Sequence, residues 1–584
     1  MPLPPFNSSP TLGPKRAAHL LHRASFGPTK EQIDNFANIS VNQAVTLLFQ
    51  GPLPEPLPLV DPETNQEWMI GGTTDANSEE SDLQEFFKGW FIGQMLSVGV
   101  PSNQSLAYSV REKTVFFLHT LFTAIQTKID SSRALYFQNQ LFRQYAWDKT
   151  KGPEFTIKEL TKKISVDNAM LRLLDGNQNV KGGIQENYAR ELLELYSIGR
   201  GLEGTVKPST GPGDYFVFTE TDVQEAAKVL TGWDFDDTFS TIDPDTLLPR
   251  GKVRGSVTNA SAHDNSIKTF SSRLDDVVIQ PDPLLLQGNN PTEESLLDEI
   301  DQLVELIYSK QETARNICRR IYRFYVYYEI DQTLDDTIIQ EMANTLIAND
   351  FKIQPVLEEL FRSQHFYEAG GGNGDDNFGA IIRSPLDLVV GTYRFFGISM
   401  PDLATSPGDY FEKTGEIIRS LSHMGMNFYE PFDVAGYDAY HQFPIYHRSW
   451  ISTNYLTRRY EFITTLIPQD STGGMMSAID VVDFVRTKIP NMIASDARML
   501  IIELAKYLLP LSDGLTFDTN SDDNSGLTAE RLAYFLTTFL GTIDPDPEAA
   551  WTTRWTNSVG MEVVEGQLRR LFNAMMQSPE YQLY

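Results

Sequence analysis

The sequence predicts a mainly α protein: a multi-helix globular chain with long irregular loops and few short strands. Apolar residues recur at three- and four-residue spacing through most of the chain, punctuated by Ser, Thr, Gly and Pro where helices should start and stop. Alternating strand-like runs are sparse, with "DDVVIQ" (275–280) among the candidates. The 584 residues, 41% of them hydrophobic, supply material for more than one simple core, so two or more packed subregions are expected.

The elements follow in order. Residues 1–14 read as an extended Pro- and Ser-rich arm. A helix from Lys15 ends toward Gly27, a good stop residue. A second takes Pro28 near its first turn, and a third has Ser40 as N-cap. Residues 51–80 carry no helical period and read as a surface excursion. Helices are predicted over 82–98, 104–128, 134–148 and 156–176; the second is apolar around much of its circumference and should be buried. After a Gly- and Pro-rich loop at 201–220, "TETDVQEAAKVLTGW" (219–233) is a helix capped by Thr219 or Thr221 and stopped by Gly232. Residues 234–292 are loop-like, and helices return over 293–366. The predicted organisation is an arm (1–14), a helical core (15–367) with insertions at 51–80 and 234–292, a Gly-rich linker or loop (368–380), and a C-terminal helical part (381–584) packed on the core.

Composition excludes several functions. The 78 acidic against 48 basic residues give a net charge of −30, which repels nucleic acid and anionic membrane. The lone Cys318 permits no intrachain disulfide and no thiolate metal site, and reads as a small apolar helix residue. No apolar run reaches 18 residues, so no membrane span is expected. The opening residues lack the apolar core of a secretory signal peptide, so either the protein is cytosolic or a signal has been removed. Phosphate-binding GxxxxGK[ST], GxGxxG after a strand, HExxH and GxSxG are all missing, which disfavours common nucleotide, zincin and α/β-hydrolase mechanisms.

Four stretches hold candidate chemistry. Glu112 and His119, seven residues apart, share a helix face and read as a buried His–acid pair or as part of a metal or proton-transfer site. In "ENYARELLELYSIGRG" (186–201), Arg190 is four residues from both Glu186 and Glu194, a spacing that predicts an ion-pair ladder. Glu191 lies in the neighbouring row and needs a partner from elsewhere, with His119, Arg111 and Arg143 as candidates. "HDNSIKTF" (263–270) places His263, Asp264 and Lys268 in a loop. His119, Glu191 and His263 would make a two-His, one-carboxylate metal set if the fold gathered them, with Asp264 as a further ligand. "HQFPIYHRSW" (441–450) adds histidines and aromatic faces suited to a sugar-like ligand, although a plain surface insertion is favoured. The acidic loops at 374–377 and 518–526 hint at an irregular calcium site. The latter has Asp523 and Ala529 where an EF-hand needs Gly and Glu.

Several blocks, in this order, resemble a known family: "RAAHLLHRASFGPT" (16–29), "REKTVFFLHTLF" (111–122), "ENYARELLELYSIG" (186–199), "FTETDVQEAAKVLTGW" (218–233), "HDNSIKTF", "RSPLDLVVGTYRFFG" (383–397), "MGMNFYEPFDVAGY" (424–437) and "WISTNYLTRR" (450–459). They are similar to the Domain of Unknown Function 1800 family, over nearly the whole chain. Two positions depart from its pattern: Leu121 stands where relatives carry a second histidine, and Tyr437 where they carry Trp. The resemblance implies a mostly helical, exported bacterial protein, with a protein of a sulfatase-like family often encoded nearby as a partner, and with the signal peptide absent from this chain. It implies no reaction. The expected function is therefore a cell-envelope or extracellular binding or assembly protein, with a partner protein, polymer or glycan as its ligand. The alternative is a metal-assisted hydrolase or oxidoreductase, with Glu191, Arg190 and His119 as catalytic candidates and His119, Glu191, His263 and Asp264 holding a divalent metal.

Overall fold

A computed structural model describes residues 2–7, 9–69, 76–147, 155–368, 377–468, 478–510, 514–519, 527–542 and 544–584. Helices take 56% of the chain and strands 5%, as the periodicity predicts. Most of the predicted Gly-rich linker (369–376) and most of the acidic loop at 518–526 lie outside the described residues.

The helices that position the site are α1 (Gly13–Ala24), α2 (Glu80–Met95), α3 (Ser105–Leu121), α4 (Ser132–Trp147), α5 (Asn187–Glu191), α6 (Glu220–Val229), α7 (Glu293–Tyr308), α8 (Gln311–Tyr325), α9 (Pro385–Phe396) and α10 (Pro407–His423). One hydrophobic cluster runs through them, from Leu3 to Tyr581. From Leu106 to Leu121 every residue of α3 is buried, in line with its all-round apolar text.

Two predicted helices are shorter than their periodicity. The 104–128 helix ends at Leu121, and a separate turn spans Gln126–Ile129. The 156–176 segment divides into Ile157–Ile164 and Asn168–Leu173, because the Asp167 carboxylate accepts from the Met170 amide and opens a new helix. Thr219, not Thr221, caps α6: its hydroxyl accepts from the Asp222 amide while Asp222 accepts from the Thr219 amide at 2.7 Å.

Close backbone packing joins the N- and C-terminal parts. Gly27, at φ +109°, lies so near α9 that a Cβ there would come within 2.9 Å of the Gly391 Cα. Arg394 donates to the Gly27 and Leu96 carbonyls and to Ser97 Oγ, and Lys113 on α3 pairs with Asp387.

The two insertions are pinned. Trp90 on α2 donates to the Leu57 carbonyl at 2.7 Å, and Trp68 donates to Ser132 Oγ at 2.9 Å, so the first insertion lies along α2 and α4 instead of standing off in solvent. Its buried Leu59, Trp68 and Met69 carry that packing. The second insertion forms two small antiparallel sheets. Strand β1 (Trp233–Asp234) pairs with β2 (Lys252–Val253), and β3 (Lys268–Thr269) with β4 (Val278–Ile279), the latter inside the predicted strand text. Between β1 and β2, Asp236 accepts from the Thr238, Ser240 and Thr241 amides, which fixes the bend that carries Phe239.

Candidate functional site

Helices α3 and α4 pack side by side, and both insertions fold over the same end of the pair. The result is a cleft of about 680 Å³. Arg111 on α3 and Arg133, Tyr136, Phe137, Gln140, Arg143 and Gln144 on α4 form its floor. Residues 49–55 and 67–69 wall one side, and Phe239, Ile242 and Leu247–Pro249 wall the other. The volume falls within the usual range for small-molecule sites.

The floor is built on Glu112. Its carboxylate is fully buried and accepts from Arg143 Nε (3.0 Å), Arg143 Nη2 (2.6 Å) and Arg111 Nε (3.0 Å). Burial pushes the Glu112 carboxyl up, but the fields of Arg143 and Arg111 outweigh it and hold the group below its ordinary range. Arg143 also donates to Gln140, and Arg111 to the Pro54 carbonyl of the first insertion. The predicted Glu112–His119 pair is therefore corrected: Glu112 serves two arginines, and neither arginine is free for Glu191.

Arg133 differs from those two. Its Nε donates to the Met69 carbonyl at 3.0 Å, and its guanidinium lies 4.2 Å from the centre of the Phe239 ring. Among the described residues no carboxylate lies within ion-pair distance of it. Burial lowers its pKa, partly countered by Asp236 and Glu80.

His119 lies deeper, on the opposite part of α3. Its ring stacks on Tyr429 at 4.1 Å, and Nε2 is 3.4 Å from the Tyr437 hydroxyl. Nδ1 is buried with no hydrogen-bond partner among the described residues. Burial alone drives its pKa down to about 3, so it is neutral at physiological pH. Tyr437 thus supplies the hydroxyl that His119 meets.

His263 is locked elsewhere. Nδ1 meets the Thr231 carbonyl and hydroxyl, and Nε2 is 3.2 Å from Glu299, which also takes the buried ammonium of Lys268. Asp264 accepts from the Ser266 amide in an Asx turn. His119, Glu191, His263 and Asp264 are therefore not gathered into one ligand set. Among the described residues, the sole three-ligand arrangement of His, Cys or acids is Glu159, Asp301 and Glu305. The Lys162 ammonium bonds all three, taking the place a cation would fill.

The 186–201 stretch is not one regular helix. After α5 it widens into a π-helical turn over Leu192–Tyr196. The wider turn carries Glu194 away from Arg190. Arg190 keeps Glu186 at 3.2 Å but takes Glu220 on α6 as its main partner, and Glu194 pairs with Arg200. Of the two predicted rungs, one forms. Glu191, half-buried, has neither an ion pair nor a hydrogen bond among the described residues. Burial raises its carboxyl to about 7, Glu194 and Asp433 add to the rise, and Arg190 and Arg200 oppose it. Its charged surroundings are thus acids and arginines, with no part for His119.

The sequence reading missed the cleft. Its walls are the two segments read as insertions, and its floor residues are spaced as ordinary helix text. The nearest signal was Trp68, a large apolar residue stranded in proline-rich loop text.

No curated protein and no solved structure matches the chain. A family model described as "Protein of unknown function (DUF1800)" matches residues 19–583, nearly its full length. The chain belongs to the DUF1800 family.

Proposed function

We propose that the protein is an exported binding protein whose ligand enters the cleft over α3 and α4. The observation that carries this reading is the cleft itself: about 680 Å³, floored by arginines that a buried glutamate and the first insertion hold in fixed rotamers. Pre-formed concave sites with apolar walls and a few fixed polar groups are where small ligands bind. The net charge of −30 supports an extracellular or envelope setting and keeps nucleic acid away. Exposed rings at Phe432 and Phe443 offer a second surface to a partner protein or a sugar polymer.

The test uses Nile red, a neutral fluorophore, as reporter of the cleft. Wild type binds about one equivalent, and Gln140→Trp, which places an indole on the floor, abolishes binding while keeping the helical circular dichroism. Equal binding by both proteins refutes the reading. Fractionation of cells expressing the full gene product tests export; recovery only in the cytosol refutes that part.

One observation favours the enzymatic alternative. Glu191 is an unpaired carboxyl raised to about 7, poised to exchange protons near neutrality, and it borders a π-helical turn. With His119, His263 and Asp264 held apart from Glu191 among the described residues, this reading is acid–base chemistry on Glu191 itself.

A further inference from the structure

We propose that the cleft takes a monoanionic amphiphile, a single carboxylate or comparable oxyanion on an apolar body, with the anionic head on Arg133. This rests on the cleft being a ligand site and names the class of ligand.

The argument starts from unequal treatment of three buried arginines. Arg111 and Arg143 share the Glu112 carboxylate and have further acceptors in Pro54 and Gln140. Arg133 is 8% exposed and has one acceptor, the Met69 carbonyl on Nε. Its Nη1 and Nη2 have no hydrogen-bond partner among the described residues. The acids that favour its charge are committed elsewhere: Asp236 to the amides of its own loop, Glu80 to the Ser132 amide. A guanidinium whose remaining donors open onto the water of a cleft gains from an anion that replaces that water. Those two nitrogens form the planar fork that takes a carboxylate in bidentate fashion. Phe239 beneath the guanidinium and Met69 at Nε fix the plane of that fork, so little entropy is lost when the anion arrives.

The walls define the rest of the ligand. Phe239, Leu248 and Pro249 on one wall and Pro52 and Leu53 on the other, with Phe137 on the floor, give an apolar passage suited to an alkyl or aryl body. At the rim stand Glu55 and Glu67, both exposed. They repel a ligand charged along its length, such as a polyanionic polymer, and tolerate one whose single charge is carried to the floor. A chain of eight carbons extends about 10 Å, which suits a cleft of this size.

The test is calorimetric titration of the full chain with octanoate and, separately, with octanamide, which keeps the shape and removes the charge. Octanoate is expected to bind at least tenfold more tightly. Arg133→Gln is expected to erase that preference, bringing octanoate to the affinity of octanamide, with the helical circular dichroism of wild type showing that the variant is folded. Equal affinity of the acid and the amide for wild type overturns the proposal and needs no variant. A preference that survives Arg133→Gln also overturns it, as does failure of octanoate to bind at millimolar concentration. Binding of Nile red with no preference for the acid leaves the cleft a ligand site and defeats only the anionic assignment. Loss of Nile red binding from wild type defeats the cleft reading itself.

Discussion

Replacing Glu191 by Gln should stabilise the protein at alkaline pH and do nothing at acid pH. The folded protein raises this carboxyl from 4.5 to about 7, so the native state holds a proton that the unfolded state has released. Below pH 4.5 both states are protonated and the side chain behaves as a neutral amide would. Between pH 4.5 and 7 the unfolded state binds fewer protons than the native one, and stability falls as pH rises. Above 7 the loss is complete. The shift sets an upper limit of about 3.4 kcal/mol. Glu191 is partly solvated, and screening reduces this to about 1–2 kcal/mol. Unfolding a chain of this length changes entropy by about 1.2 kcal/mol per kelvin, so the glutamine protein should melt about 1–2 °C above wild type at pH 8. Scanning fluorimetry at half-unit steps from pH 4.5 to 8.5 reads the difference directly, and shared effects of the large net charge cancel. A constant offset at every pH, or a difference that shrinks toward pH 8, refutes the argument: it would mean that Glu191 is paired in the folded state.

Three further outcomes are expected. Glu299→Gln leaves the Lys268 ammonium buried without the carboxylate that accepts from it, at a cost of about 3–5 kcal/mol; a melting temperature within 1 °C of wild type contradicts this. His119 is held neutral by burial, with its pKa lowered from 6.5 to about 3, so it contributes stability above pH 6.5 that is lost as pH falls toward 3. His119→Phe should remove a slope of about 1.4 kcal/mol per pH unit between pH 6 and 4, seen as a flatter acid limb of melting temperature against pH. Because the candidate metal ligands are held apart, elemental analysis should find equal metal content in wild type and His119→Ala; loss of a stoichiometric metal from the variant contradicts the geometry.

Helix positions were legible where one face is buried and caps are explicit. Ser40 and Thr219 each close a capping box at a predicted start, whereas the second helix is capped by Thr29 and begins at Lys30, leaving Pro28 ahead of the cap and outside the first turn. Single-helix readings failed where a polar side chain offers the backbone another partner, as Asp167 does inside apolar text. The 186–201 ladder failed for a different reason. Fourfold spacing assumes 3.6 residues per turn, and a π turn leaves the residue pattern unchanged while rotating Glu194 off the Arg190 row. The site residues were least legible because their partners are distant. Glu112 finds Arg143 31 residues away, His263 finds Glu299 36 away, and His119 meets Tyr437 318 away. No spacing rule reaches that far, and a proline-rich insertion gives no sign of which helix it will cover.

The three floor arginines separate what holds the fold from what would anchor the proposed ligand. Arg143 is part of a closed account of charge: removing it as Arg143→Met leaves Glu112 with one arginine and strips its only bidentate partner, a change that costs about 3–5 kcal/mol. Arg133 belongs to no such pair. Arg133→Met gives up one hydrogen bond to Met69 and a contact with Phe239, roughly 1–2 kcal/mol, and the apolar methionine recovers part of this by relieving the partial desolvation that lowers the arginine's pKa. In the absence of ligand its melting temperature should stay close to that of wild type, while Arg143→Met should fall by about 3–4 °C. Both residues are buried on one helix, ten positions apart, so side-chain loss alone predicts similar penalties. That outcome would make Arg133 a charged group the fold does not need, which supports the proposed anion-binding role. If both variants lose the same stability, Arg133 is an ordinary structural arginine and the cleft has no anionic anchor.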